Sequence, residues 1–138
     1  MDESQAELLR EARRAALEAY APYSRFRVGA AVVAEGRVYT GFNIENASSN
    51  LGICAERAAI SHARLHGAVS IEGIAIACID ADIRDGNAAT MPCGGCRQWM
   101  VEHMPHGWVV IDGHDDVTTV QELMPRAFRL GSHEADCG

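Results

Sequence analysis

The sequence runs to 138 residues and 14.9 kDa, the size of one ordinary domain. Hydrophobic residues make up 48% and charged residues 22%, which excludes wholesale disorder, and the apolar runs fall far short of the roughly 20 residues of a membrane span. A formal net charge of -7 disfavours a nucleic-acid backbone as partner. All 12 basic residues are Arg, which removes lysine Schiff-base and P-loop lysine chemistry.

Ser4 with Glu7 reads as a capping box, and the periodicity carries a helix on to Tyr20 with Leu9, Ala12, Ala16 and Tyr20 on one face. Arg10, Arg13 and Arg14 fall largely off that face as a solvated stripe. Ala21-Pro22-Tyr23-Ser24 ends the helix. A strand over 27–34, a turn at Glu35-Gly36 and a return strand over 37–43 predict a hairpin. The polar stretch 44–53 reads as a loop. From Cys54 an alanine-rich helix runs to His66, with Gly67 as its C-cap. The clearest strand is 71–79, apolar enough to be buried on both faces. A charged loop over 80–91 leads through Pro92 to a second helix from Cys93 to about His103. Trp108 to Ile111 is a fourth strand, with a short fifth near Val117 and a short helix over 120–124. One layered α/β domain over 1–130 with a disordered tail over 131–138 is the economical organisation.

The odd count of five cysteines, with no export signal opening the sequence, points to a reducing, cytoplasmic compartment. Cys78 sits in a buried-strand pattern where Cys acts as a small hydrophobe, and Cys137 lies in the polar tail. The other three have chemical neighbours: Cys54-Ala55-Glu56-Arg57, and Pro92-Cys93-Gly94-Gly95-Cys96. Cys93 and Cys96, at i and i+3, fall on one side of a helix start. A CxxC alone is compatible with a redox pair, half a zinc knuckle or chance. With Cys54 the set becomes three thiolates and one open position, the requirement of a catalytic zinc, whereas a structural zinc closes with a fourth protein ligand. His103 and His106 are the candidates for that fourth place, with Pro105 and the intervening helix against them.

Both ligand groups open helices, whose free N–H groups and dipole stabilise thiolate. Three thiolates still leave zinc with a formal local charge near minus one, which blunts its effect on bound water. Arg57, one turn from Cys54, is the candidate to offset that charge by bonding the sulfurs. The alternative is a solvent-facing helix Arg. Glu56, two residues after a ligand, is placed to sit beside the metal without binding it and to move a proton. The alternative is an ordinary first-turn Glu favoured by the helix dipole.

At these residues the sequence resembles the cytidine deaminase family of zinc-dependent nucleoside deaminases, whose general signature joins a Cys₃ zinc, a non-ligating Glu and P-C-x-x-C. Cys54-Ala55-Glu56-Arg57 and Pro92-Cys93-Gly94-Gly95-Cys96-Arg97-Gln98 match its metal motifs. Pro22-Tyr23-Ser24-Arg25-Phe26 with Val28-Gly29-Ala30-Ala31 is similar to its N-terminal motif, Asn43-Ile44-Glu45-Asn46-Ala47 to its ribose loop, and Leu123-Met124-Pro125 through Phe128 to its C-terminal motif. The likeness covers about residues 5 to 130.

The resemblance implies a three-layer α/β/α sandwich around a mixed five-stranded sheet, one Zn2+ per subunit, and hydrolytic attack at C4 of cytosine. Glu56 is then the catalytic residue, moving a proton to N3 and later to the departing amino group. Asn43 and Glu45 bond the ribose hydroxyls, Phe26 packs on the base, and Ala55 and Met91 are further substrate contacts, Met91 through its backbone carbonyl. The assembly is a homotetramer, with Phe128 reaching into a neighbouring site. Ordinary polar-loop roles for Asn43 and Glu45, and core roles for Phe26 and Phe128, stand beside these.

Ser49 stands where many relatives have Tyr, Met91 where a small residue is common, and Trp99 where an aliphatic is usual. Together with the long 80–91 loop these departures bear on substrate identity and leave the zinc machinery untouched. The expected function is deamination of cytidine and deoxycytidine in pyrimidine salvage, on a small-molecule nucleoside, without nucleic acid or membrane. One alternative is a modified cytosine nucleoside such as a blasticidin-type aminoacylnucleoside. Another is a non-catalytic zinc-stabilised binding module or a nucleic-acid deaminase subunit, against which the acidic balance and 6% aromatic content argue.

Overall fold

Asp2, and not Ser4, caps the first helix. In the computed structural model, which describes residues 1–82 and 88–130, α1 covers Glu3–Ala16. The Asp2 carboxylate accepts from the Gln5 N–H at 2.9 Å while the Gln5 side chain accepts from the Asp2 N–H at 3.0 Å, a reciprocal box that starts two residues earlier than Ser4 and Glu7. Ser4 donates to Asp2 instead, and Glu7 pairs with Arg10. The helix also stops short of Tyr20. Tyr20 is drawn into a bridge with Ile44, its N–H bonding the Asn43 carbonyl at 3.0 Å and its carbonyl accepting from Glu45 at 2.9 Å. Of the arginine stripe, Arg10 and Arg14 pair within the helix, while Arg13 reaches Asp112 and ties α1 to the end of the fourth strand.

β1 (Val28–Ala34) and β2 (Arg37–Phe42) form the expected hairpin. Glu35 and Gly36 both have positive φ, 54° and 78°, as a two-residue I′ turn demands. β3 (Ile71–Cys78) pairs antiparallel with β1 and parallel with β4 (Trp108–Ile111), and β5 (Thr118–Thr119) closes the edge antiparallel to β4. The result is the expected mixed five-stranded sheet, in the order β2-β1-β3-β4-β5.

Strand parity decides which helix each residue meets. Ala31, Ala75, Ala77 and Val110 pack with Leu8 and Ala12 of α1. Ala30, Val32, Ile74, Ile76, Val109 and Ile111 pack on the other face, against α2 (Ala55–Leu65) and α3 (Gly94–His103). Three α/β/α layers follow. Two glycines set the spacing: a Cβ at Gly29 would lie 1.9 Å from the Ala12 carbonyl oxygen, and one at Gly41 would lie 2.3 Å from the Ala59 nitrogen.

α2 and α3 both begin near the C-terminal end of β3, where ligand sites gather in α/β folds. A 3₁₀ turn at Ala88–Thr90 leads into Met91 and Pro92, and α4 (Val120–Leu123) follows β5 directly. Residues 83–87 of the expected charged loop, and the tail 131–138 with Cys137, lie outside the described residues. Among the described residues no helix is long and apolar enough to cross a membrane.

Candidate active site

The two helix starts deliver the three cysteines. Cys54 is the N-cap of α2 and Cys93 the N-cap of α3, both with extended backbone, and Cys96 lies in the first turn of α3. The sulfurs of Cys54 and Cys93 are 4.0 Å apart, those of Cys93 and Cys96 are 3.5 Å apart, and all three lie within 4.8 Å of one another. Zinc–sulfur bonds of about 2.3 Å in tetrahedral array require sulfur pairs about 3.8 Å apart. The spacing therefore fits one zinc ion, and among the described residues this is the one cluster of three or more such ligand side chains. Neither histidine closes it. His103 stands at the opposite end of α3, its Nδ1 accepting from Arg64 at 3.0 Å and its ring against Trp99. Cys96 is buried, Cys54 half-buried and Cys93 exposed, so the cluster has an inner and an open side.

The electrostatics favour thiolate at Cys54. Its pKa is pushed down to about 5, first by the Cys96 thiol donating to it and then by Arg57. Cys96, the donor in that pair and fully buried, is pushed up. Arg57 Nη2 lies 3.4 Å from the Cys54 sulfur, and that contact raises the Arg57 pKa further. Arg57 is half-buried, and its Nε is buried and, among the described residues, has no partner. An orphaned N–H on a cation beside a sulfur cluster suits a centre that carries excess negative charge.

Glu56 is 5% exposed and, with Thr90, stands alone as a buried polar side chain among the described residues. Burial pushes its carboxyl up to about 7, and the Cys54 thiolate adds to the shift. Its side chain lines a cleft of about 650 Å³ that also touches Phe26, Asn43, Glu45, Ala55, Arg57 and Met91. Cys54 and Cys93 line that cleft as well, and Ser49 is part of its wall.

Two expected ribose contacts already have work in the fold. Asn43 accepts from the Val28 N–H at 2.9 Å and donates to the Phe26 carbonyl at 2.8 Å. Its amide keeps one N–H and one lone pair beyond these. Glu45 accepts from the N–H groups of Tyr23 and Ser24 at 3.0 and 3.1 Å and from the Ser24 hydroxyl, which together hold its pKa down. Both side chains are pinned in place at the cleft wall. Phe128 does not join them: it is 69% exposed, which also overturns a core role, and its carbonyl accepts from Gln98 at 2.9 Å. Phe26 is half-buried, packed against the core and also part of the cleft lining.

Cys78 is the cleft residue that sequence reasoning left in the core. It is buried, its thiol pushed up to about 12 by burial, yet it also lines the cleft. The signal was its place as the last residue of β3, on the face shared with Ile74 and Ile76.

Three converging cysteines with an open side, a buried carboxylate and an α/β/α frame define a zinc-dependent hydrolase centre. The family model described as the cytidine and deoxycytidylate deaminase zinc-binding region matches residues 2–111. The cytidine deaminase of Sporosarcina psychrophila is 39% identical over 126 residues, covering 88% of each chain. That of Mycobacterium tuberculosis H37Rv is 42% identical over 120 residues, 86% of this chain and 85% of the relative. The crystal structure of cytidine deaminase from Burkholderia pseudomallei aligns with a TM-score of 0.77 at 38% identity, over 93% of this chain and 100% of that one. The Mycobacterium tuberculosis structure aligns with a TM-score of 0.78 at 37% identity, over 94% and 100%. The chain belongs to the cytidine and deoxycytidylate deaminase family.

Proposed function

We propose that the chain hydrolyses cytidine and deoxycytidine to uridine and deoxyuridine with release of ammonia, as a cytoplasmic homotetramer serving pyrimidine salvage. The observation that carries this reading is the meeting of three cysteine sulfurs, two of them lining the cleft that the buried Glu56 also lines.

Cys54, Cys93 and Cys96 hold the metal. When bound, zinc supplies a Lewis acid that lowers the pKa of a coordinated water toward neutrality. Arg57 draws charge off the Cys54 sulfur, which keeps the three-thiolate set from cancelling that effect. Glu56 takes a proton from the attacking water as its oxygen bonds to C4 and passes that proton to N3. It then carries the remaining hydroxyl proton to the exocyclic amine, so the C4–N bond breaks and ammonia departs with C4 left as a carbonyl. Phe26 lies against the base. Glu45, fixed by its three donors, and Asn43, fixed by its two backbone bonds, present preset partners to the ribose hydroxyls. A site built this way penalises a free base, because its polar groups are left unpaired. Ala55 and Met91 complete the pocket wall.

Assembly is supported by the apolar side chains left in water: Phe128 is 69%, Leu51 64% and Ile53 41% exposed. Phe128 is assigned to a neighbouring cleft on that basis. Light scattering on purified protein should give four chains per particle.

The functional test is ammonia release by zinc-quantified protein from cytidine, deoxycytidine, cytosine and a blasticidin-type nucleoside. Both simple nucleosides should turn over and cytosine should lag far behind. Zinc-loaded protein inert toward cytidine and deoxycytidine would refute the reading, and turnover of the blasticidin-type nucleoside alone would shift it to that substrate.

A further inference from the structure

Met91 stands between two cavities. It lines the nucleoside cleft of about 650 Å³ and, on its other side, a second cavity of about 130 Å³. Val109, Ile111 and Leu123 give the second cavity an apolar side, Thr118 comes from the edge strand β5, and His114 and the exposed Asp116 form its polar rim. The backbone on both sides of Met91 is held. Thr90 is 3% exposed and its Oγ1 lies 3.2 Å from His114 Nε2, while Pro92 has a fixed φ and a carbonyl that accepts from Arg97 at 2.8 Å. What remains free to move is the thioether side chain, unbranched and with three rotatable bonds. The second cavity is space bordered by Met91 into which that side chain can fold without displacing a neighbour.

We propose that Met91 is a retractable partition that decides which cytosine nucleosides the cleft accepts. Held forward, it closes the pocket around an unsubstituted ring. Withdrawn into the rear cavity, it admits a ring carrying a methyl group at C5. The proposal rests on the nucleoside-deaminase reading above. Met91 precedes the Cys93 ligand by two residues and lines the same cleft as Cys93 and Glu56, which brings it to the end of the cleft where C4 must react. The ring neighbours of C4 are N3 and C5. Glu56, from the start of the other helix, serves N3, and with N3 turned toward Glu56 we place the C5 edge against the Met91 wall. A methyl group there meets a thioether that can fold against the apolar Val109, Ile111 and Leu123 side of the second cavity, away from its His114 and Asp116 rim. A small residue at this position would give a fixed pocket. Methionine gives an adjustable one.

Filling the rear cavity tests this without touching the cleft. Thr118→Ile adds carbon from a strand residue, and Ile suits a strand. Leu123→Phe fills the same space from the opposite wall, should the first variant fold poorly. Each is compared with wild type for kcat/KM on cytidine and 5-methylcytidine, and for calorimetric binding of the products uridine and 5-methyluridine. The filled variants should keep kcat/KM for cytidine within about twofold. They should lose roughly 10-fold or more on 5-methylcytidine and in 5-methyluridine affinity, since a misfitting methylene in an apolar pocket is worth roughly 10- to 200-fold. The double variant Met91→Ala/Thr118→Ile should regain the methylated substrate, because no side chain then needs to retreat. Equal losses on both substrates with no rescue would overturn the partition. So would a wild-type enzyme that turns over cytidine and rejects 5-methylcytidine. Wild-type protein that is zinc-loaded and inert on cytidine would instead bring down the deaminase reading, and the partition with it.

Discussion

Replacing Glu56 by Gln keeps the volume of a side chain that is 5% exposed and removes its capacity to take up a proton. The same carboxylate is assigned both proton movements, first to N3 and then to the amine. General acid–base catalysis by one positioned group is worth roughly 10²- to 10⁴-fold. A group used twice should cost at least about 10³-fold when lost, or about 4 kcal/mol of barrier at 1.36 kcal/mol per decade. The metal should be unaffected, because the three sulfurs come from Cys54, Cys93 and Cys96 and the amide introduces no unpaired charge. The assay is kcat on cytidine for protein whose zinc has been quantified, with calorimetric uridine binding as a check that the cleft is intact. Glu56→Gln turnover within 10-fold of wild type, at one zinc per chain, would refute the assigned role.

Arg57→Ala removes the donor 3.4 Å from the Cys54 sulfur, and zinc affinity measured by chelator competition should fall roughly 10- to 100-fold with an unchanged circular dichroism spectrum. An unaltered affinity would dismiss charge offset by this residue. Asp80 is held down to about 2, first by the Arg27 side chain, which bonds it at 2.8 and 2.9 Å, and then by the Arg27 N–H. Its folded pKa lies below the unfolded value of about 3.9, so its stabilisation is present above that pH and is lost as pH falls through about 2. Asp80→Asn should therefore lower the urea midpoint at pH 7, and the gap should close near pH 2; a gap of equal size at both would contradict the assignment. Gly41→Ala would put a Cβ 2.3 Å from the Ala59 nitrogen, a clash with helix backbone that cannot rotate away. It should cost about 3 kcal/mol or more in urea unfolding, the upper end for overpacking, and reduce zinc content by shifting the helix that begins at Cys54. Wild-type stability would show that α2 does not sit tightly on β2 at Gly41.

The strands and the metal set were legible because local rules write them directly. Short apolar runs marked β1, β3 and β4, Glu35-Gly36 marked the hairpin, and Cys93-x-x-Cys96 behind Pro92 placed two sulfurs on one helix start. Where two local signals overlapped, sequence alone chose wrongly. Asp2-x-x-Gln5 and Ser4-x-x-Glu7 are both capping patterns, and the first is used. Tyr20 fits the helical period, yet a bridge to Ile44, far along the chain, removes it. Long-range pairs such as Arg13 with Asp112 leave no trace in either neighbourhood. The site residues Asn43 and Glu45 were found by motif, but their bonds to Val28, Phe26, Tyr23 and Ser24 depend on how two loops meet. Cys78 escaped because a strand end can be core and cleft wall at once.

The central claim is that Cys54, Cys93 and Cys96 share one zinc that retains a position for solvent. X-ray absorption at the zinc edge, on protein purified with one zinc per chain, measures this directly. The account predicts three sulfur scatterers at about 2.3 Å and one oxygen at about 2.0–2.2 Å, with a sulfur lost in each single Cys→Ser variant. Four protein scatterers closing the shell, or fewer than three sulfurs in the wild type, would contradict it.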